Sequence, residues 1–150
     1  MSFNHTATFN GTFGEIWIDG TYVAQCEACT AEVSKTYADI RKPNDRATYK
    51  KLLSEEGSGS MTLYKVNSSL LKKAGRTKTN GRQIESQIII KVDDPDATGF
   101  ERILLKNVNF ENVPLTSFER AAETKEEISF FFSNWEPLDY IDEELYIADR

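Results

Sequence analysis

The most reactive side chains in this sequence are two thiols, Cys26 and Cys29, at C-x-x-C spacing, and one imidazole, His5. C-x-x-C supplies half of a zinc site, or a redox pair where it opens a helix after a strand. No second cysteine pair exists, and the lone histidine cannot complete a ligand set. The spacing falls inside a β-like run, where residues three apart point to opposite faces. The two sulfurs are therefore expected to diverge as small, buried or half-buried thiols. A Ser/His/Asp or Cys/His relay would have to use His5, so nucleophilic catalysis is not expected.

Asp93-Asp94-x-Asp96 has the ligand type for a hard cation but not the spacing of a calcium loop, and reads as a solvated turn. Glu126-Glu127 and Glu143-Glu144 are adjacent pairs that split across strand faces or lie in an acidic tail. The loop Gly75–Gly81 lacks the Gly-Lys-Ser/Thr ending of a phosphate-binding loop. Its surroundings are basic: Lys72, Lys73, Arg76, Lys78 and Arg82. Two readings fit that cluster, a solvated loop or an assembly patch for acidic residues on another subunit, such as the tail after Pro137. Opposite charges at opposite ends of a protomer favour head-to-tail association. No catalytic residue, metal or cofactor is expected.

These residues ride on a chain that reads mainly as β. Gly14-Glu15-Ile16-Trp17-Ile18-Asp19-Gly20-Thr21-Tyr22 spells strand, two-residue turn, strand, with Ile16 and Ile18 on one face. Asp19-Gly20 suits a type I′ turn because Gly accepts positive φ. Cys29, Ala31 and Val33 alternate with Thr30, Glu32 and Ser34, a strand running to about Tyr37 or Ile40. Tyr22 to Ala28 shows the opposite parity, which a bulge near Glu27 would reconcile. Arg46 to Glu56 carries helix formers, with Asp45 placed as an N-cap and Gly57 as a stop; a long extended loop fits equally. Gly59–Val66 reads as a strand and Ser68–Ala74 as a short helix. Segments from Ile84 to Val92, Phe100 to Phe110, Val113 to Glu123 and Glu127 to Trp135 complete the β set. Several are apolar on both faces, which predicts cover on both sides, from within the monomer or from a neighbour.

At 150 residues with a net charge of −6, the chain is expected to be one domain over 1–150, mobile over about 1–10 and acidic over about 137–150. The charge argues against a dedicated nucleic-acid binder. No secretory signal or membrane-length apolar run is visible, so synthesis is expected to end in the cytoplasm.

The ordered segments Gly14–Gly20, Glu32–Lys35, Gly57–Ser68, Asp94–Ile103, Lys106–Phe110 and Glu127–Phe132 together resemble the tail tube proteins of contractile-tailed phages and phage-derived bacteriocins, the XkdM-like group of PBSX-type elements. The resemblance implies an antiparallel β-sandwich or barrel with one short helix and a long charged loop. It implies a non-enzymatic subunit that forms stacked, six-membered rings around a conduit for tape-measure protein and DNA. Sheath, tape-measure and baseplate proteins are the implied partners, with DNA in transit and no membrane contact. In such tubes the region of Lys42, Asp45, Arg46, Tyr49, Lys50, Lys51, Glu55 and Glu56 reaches a neighbouring subunit or ring. Thr30, Glu32 and Ser34 could supply a polar face to the channel, where acidic character repels phosphate. The competing readings are a small-ligand β-barrel, a secretion-system tube and a baseplate protein.

Overall fold

The computed structural model describes residues 5–8, 10–66, 68, 72, 83–96 and 99–139. Among them the fold is almost wholly antiparallel β. After two 3-10 turns come β1 (Gly14–Ile18), β2 (Thr21–Tyr22), β3 (Cys26–Arg41), β4 (Thr48–Tyr64), β5 (Ser86–Val92), β6 (Glu101–Phe110), β7 (Lys125–Phe132) and β8 (Asn134–Asp139). They hydrogen-bond in the order β2-β1-β5-β6-β7-β4-β3, with β8 also paired to β6. β6 joins two leaves: it pairs with β5 and β8 along most of its length, and with β7 only through Asn109 and Phe110.

The core lies between the leaves. Ile16, Ile18, Ile88, Leu105 and Val108 come from one, and Met61, Leu63, Ile128, Phe130 and Phe132 from the other. The period-2 alternation of β1 and β7 sends these side chains to one face. The first hairpin is the one expected. Asp19 and Gly20 both take positive φ, 50° and 81°, as a type I′ turn requires. Asp19 also ties the turn to the start of β5: its amide donates to the Gln87 carbonyl at 2.9 Å, and its Oδ1 accepts from the Gln87 amide at 2.9 Å.

Two bulges reset the parity that periodicity alone would assign. A register shift between Cys26 and Ala28 falls at Glu27, where the change of face required it. It has a consequence for the thiols, since one extra residue puts Cys26 and Cys29 on the same face. Both pack against the core instead of diverging. The second bulge was not anticipated. Ser86 pairs with Val108 but Ile88 with Leu105, so β6 carries one more residue than β5 there. Asn107 takes the left-handed conformation that absorbs it, at φ 56°. Leu105 and Val108, which strict alternation places on opposite faces, are therefore both buried.

Three further expectations are corrected. Arg46–Glu56 is neither helix nor loop; from Thr48 onward it is the first half of β4, paired residue by residue with β3. Pairing with an existing strand satisfies the backbone as well as a helix would, and tertiary context outweighs weak propensity. Val113–Glu123 is not a strand: the chain is irregular from Glu111 to Thr124, with Leu115 and Phe118 exposed. The side chain of Asn112 replaces strand pairing at its start, accepting from the Ser129 amide at 2.7 Å and donating to the Glu127 carbonyl at 3.0 Å. Finally, the segment ending at Trp135 is two strands. The chain breaks at Ser133 without reversing: β7 lies antiparallel to the end of β6, and β8 continues in the same direction along the rest of β6 in the other leaf, with Trp135 opposite Leu105. Pro137 is tolerated because β8 pairs on one side only. β8 carries the chain into the acidic tail as far as Asp139, whose carboxylate accepts from Arg102 Nε at 2.8 Å. The short helix at 68–74 lies largely outside the described residues; the Lys72 amide donates to the Ser68 carbonyl at 3.0 Å.

Candidate assembly surface

β4 leaves β7 at the Gly57–Phe132 pair, but its pairing with β3 continues to Arg41 opposite Thr48. The segments Ser34–Arg41 and Thr48–Glu56 therefore form a two-stranded ribbon beyond the core, about 26 Å long at the usual rise per strand residue. A bulge between Thr36 and Tyr37 increases its twist. Its cross-strand pairs include Tyr37 opposite Leu52 and Ile40 opposite Tyr49. These four side chains are 40–49% exposed and Leu53 is 63% exposed. Apolar pairs are ordinary inside a sandwich and unusual on a solvated arm.

The candidate contact residues are all on this arm. Lys42, Asp45 and Arg46 form the turn at its tip, where Asn44 has φ 59°. Asp45 does cap, but as a turn: it accepts from the Ala47 amide at 2.9 Å and from the Tyr49 hydroxyl at 2.7 Å, and these bonds hold its carboxyl below the usual range. The Lys42 ammonium sits 4.3 Å from the centre of the Tyr49 ring. Lys50 pairs with Asp39, and Lys35 with Glu55 at 4.0 Å. Arg41, Arg46 and Lys51 have no ion-pair partner among the described residues. Glu56 lies opposite Ser34 at the arm's base.

Thr30, Glu32 and Ser34 are exposed on the face of β3 that turns away from the core. Register adds Ser60, Ser58 and Glu56 beside them on β4, then Ser129 and Phe131 on β7. Thr30 Oγ1 and Ser60 Oγ are 3.3 Å apart. A shallow depression of about 470 Å³ lies on this face, lined by serines, Thr30, Glu32, Glu111 and Phe131, with no lysine or arginine. On the other side of β3 an apolar cleft of about 320 Å³ opens between the leaves, lined by Cys29, Val33, Ile90, Ile103, Leu105 and Trp135. Of the basic cluster, only Lys72 is described, and it is exposed; Lys73, Arg76, Lys78 and Arg82 lie outside the described residues.

The groups able to do chemistry are engaged in structure. Burial pushes the Cys29 thiol up to about 12, with Cys26 adding to it, and burial raises Cys26 too. Asp94 is buried because its two oxygens accept from the Asn10 amide at 2.8 Å and the Asp96 amide at 2.9 Å. Buried Glu126 meets Lys65 at 2.5 Å. No group of three or more His, Cys, Asp or Glu among the described residues is placed to hold a metal.

Sequence reasoning missed the reason for Gly57 and Gly59. Each lies directly opposite a core phenylalanine, Phe132 and Phe130. A Cβ on Gly59 would sit 2.4 Å from the Thr30 carbonyl oxygen and 2.5 Å from the Phe130 ring. The rings lie on bare backbone. The spacing Gly-x-Gly opposite Phe-x-Phe was the available signal.

Comparison with known proteins follows the same lines. The phage tail tube protein family matches residues 1–139. The PBSX phage-like element protein XkdM of Bacillus subtilis (strain 168) is 27% identical over 139 residues, covering 91% of this chain and 94% of its own. Among solved structures, the tube-terminating cap of the anti-feeding prophage superposes with a TM-score of 0.74 at 7% identity, covering 93% of this chain and 95% of the cap. The sheath-tube complex of an extracellular contractile injection system gives 0.73 at 9% identity, with 89% and 93% covered. These two share the fold. With a family match over nearly its whole length, the chain belongs to the phage tail tube protein family.

Proposed function

We propose that this protein is a non-catalytic building block of a contractile, phage-tail-like particle, in which copies form rings that stack into the inner tube. The observation that carries the reading is the arm, a paired ribbon that leaves its own core and presents two apolar pairs. A ribbon of this kind gains its burial against another subunit. Family membership and tube-like neighbours support the particle and a structural role. Sheath, tape-measure and baseplate proteins are the partners in this proposal, and assembly begins in the bacterial cytoplasm.

The polar face of Thr30, Glu32, Ser34, Ser58, Ser60 and Ser129 is the proposed channel lining. It offers hydroxyls and carboxylates to a passing polyanion. Without Lys or Arg contacts, phosphate gains no counterion-release affinity and DNA slides. Serine and threonine hydroxyls can satisfy water, and the wall stays wet.

The test is to replace residues 37–53 with an Asn-Gly turn, so that the Thr36–Ser54 pair closes the shortened ribbon close to the core. Circular dichroism should show a folded β protein, and negative-stain microscopy should show rings and tubes for the native chain and none for the variant. Native-like tubes from the variant would refute the role of the arm. A native chain that stays monomeric at every concentration would refute the tube.

A further inference from the structure

The irregular segment between β6 and β7 presents a knob. Phe118 is 79% exposed there. The segment is tied at both ends: Asn112 is bonded to β7, and the Lys65 amide donates to the Thr124 carbonyl at 2.8 Å. Between them the Ala122 amide donates to the Glu119 carbonyl at 3.4 Å around Ala121, at φ 63°. Arg120, two residues from Phe118, is exposed and has no ion-pair partner among the described residues, whereas Glu123 is engaged with Lys125 at 3.5 Å. One exposed phenylalanine by itself is ordinary. Its significance here comes from a matching hole on the same molecule.

The hole is the apolar cleft between the leaves, about 320 Å³, with Trp135 half exposed at its lip. A dry cavity of about 150 Å³ already holds a benzene ring, so a benzyl side chain fits. Glu101, Ile103 and Leu105 alternate onto the cleft face of β6. Glu101 is half-buried there and has no ion-pair partner among the described residues. Knob and hole thus each carry one unpaired charge, of opposite sign. The spacing matches, since Arg120 is two residues from Phe118 and Glu101 is two from Ile103. The knob's segment joins β7 at Lys125 and the cleft borders Phe132, seven residues or about 24 Å along the strand. The two features therefore lie toward opposite ends of one leaf.

Resting on the reading that copies of this chain assemble, we infer that Phe118 of one copy enters the cleft of a second copy, with Arg120 meeting Glu101 at the rim. Burial of the ring supplies the affinity, and the ion pair sets the register. A knob and a hole at opposite ends make a heterologous contact, which repeats from copy to copy and propagates into a ring or a filament. The contact is small beside a stable two-body interface and gains its strength from repetition in the assembly.

The test places Trp17→Phe in every protein, so that Trp135 alone reports on the cleft. On assembly of this parent, Trp135 emission should move to shorter wavelength as the cleft fills. Phe118→Ala should leave the thermal melt unchanged, raise the critical concentration for assembly by about tenfold and abolish the emission shift. Arg120→Glu should raise the critical concentration by about fivefold at low salt and less at high salt. Adding Glu101→Arg to Arg120→Glu should restore assembly, because the pair is rebuilt with its charges exchanged. Phe118→Ala protein that assembles at the parent's concentration, or whose Trp135 still shifts, overturns the inference, the latter because another segment fills the cleft. So does an exchanged-charge protein that melts as the parent does but assembles no better than Arg120→Glu alone. So does Trp135 emission that is already at short wavelength in dilute monomer, since the cleft is then filled by its own chain or by a small apolar molecule. These outcomes leave the tube reading standing as long as the parent makes tubes. A parent that never assembles removes both.

Discussion

Gly59→Ala tests the register at the centre of the fold. The added Cβ would meet the Thr30 carbonyl oxygen at 2.4 Å and the Phe130 ring at 2.5 Å, where ordinary contact begins at 3.4 Å. One of the two neighbours must withdraw by about 1 Å. Thr30 is backbone in a continuous ladder, and Phe130 is a fully buried ring, so neither gives easily. Overpacking of this kind costs about 1–3 kcal/mol, and removing a strand glycine returns about 0.5–1 kcal/mol. The net loss is about 0.5–2 kcal/mol. Urea unfolding of the monomer, followed by tryptophan fluorescence, should show the midpoint falling by about 0.25–1 M with an unchanged slope. Gly57→Ala meets one side of the Phe132 ring, at 2.3 Å, and no backbone atom among its nearest contacts, and that ring borders the open cleft; its loss should be smaller. Gly11→Ala meets nothing within 4 Å and serves as the control, within about 0.5 kcal/mol of native. A Gly59→Ala protein as stable as the native one, or more so, would mean that Phe130 does not lie over Gly59 and that the pairing of β4 with β7 is wrong.

Asn107 absorbs the β6 bulge with φ 56°, so Asn107→Gly should be neutral or slightly stabilising while Asn107→Val costs about 1–2 kcal/mol or more, read from thermal melts. Equal melting temperatures for the two would remove the bulge. The Cys29 thiol, pushed up to about 12 by burial, stays protonated across the neutral range, so maleimide should label Cys26 first and label Cys29 at a rate that climbs with pH toward 12. The folded state holds this proton more tightly than the unfolded chain. The stabilising effect is therefore complete below about pH 9 and is lost as pH rises from there through 12. Rapid labelling of Cys29 at pH 7 in folded protein would contradict its burial.

The β character, the first hairpin, the bulge at Glu27 and the core faces of β1 and β7 were legible because each is written locally. Asp19-Gly20 specifies its own turn, and Ile16/Ile18 or Ile128/Phe130/Phe132 declare a face by alternation. The polar strip of Thr30, Glu32 and Ser34 followed from the same period. The arm was legible as an oddity and misread in form. Its residues are exposed on both faces, so no burial period marks them as strand, while Lys50, Lys51, Glu55 and Glu56 favour helix by propensity. What made them a strand was β3 lying alongside.

The sequence by itself determined the chemistry on offer: a lone imidazole, thiols without a metal partner set, a basic stretch within an acidic chain, and family segments in order. Only the tertiary structure decided where those groups stand. It put both thiols on one side, aimed Leu105 and Val108 together, split the last strand at Ser133 and drew Lys42–Glu56 out into a ribbon. The physical reason is that alternation fixes a face only until a bulge or a change of leaf intervenes, and those depend on partners far along the chain, such as Gln87 for Asp19 and Phe130 for Gly59.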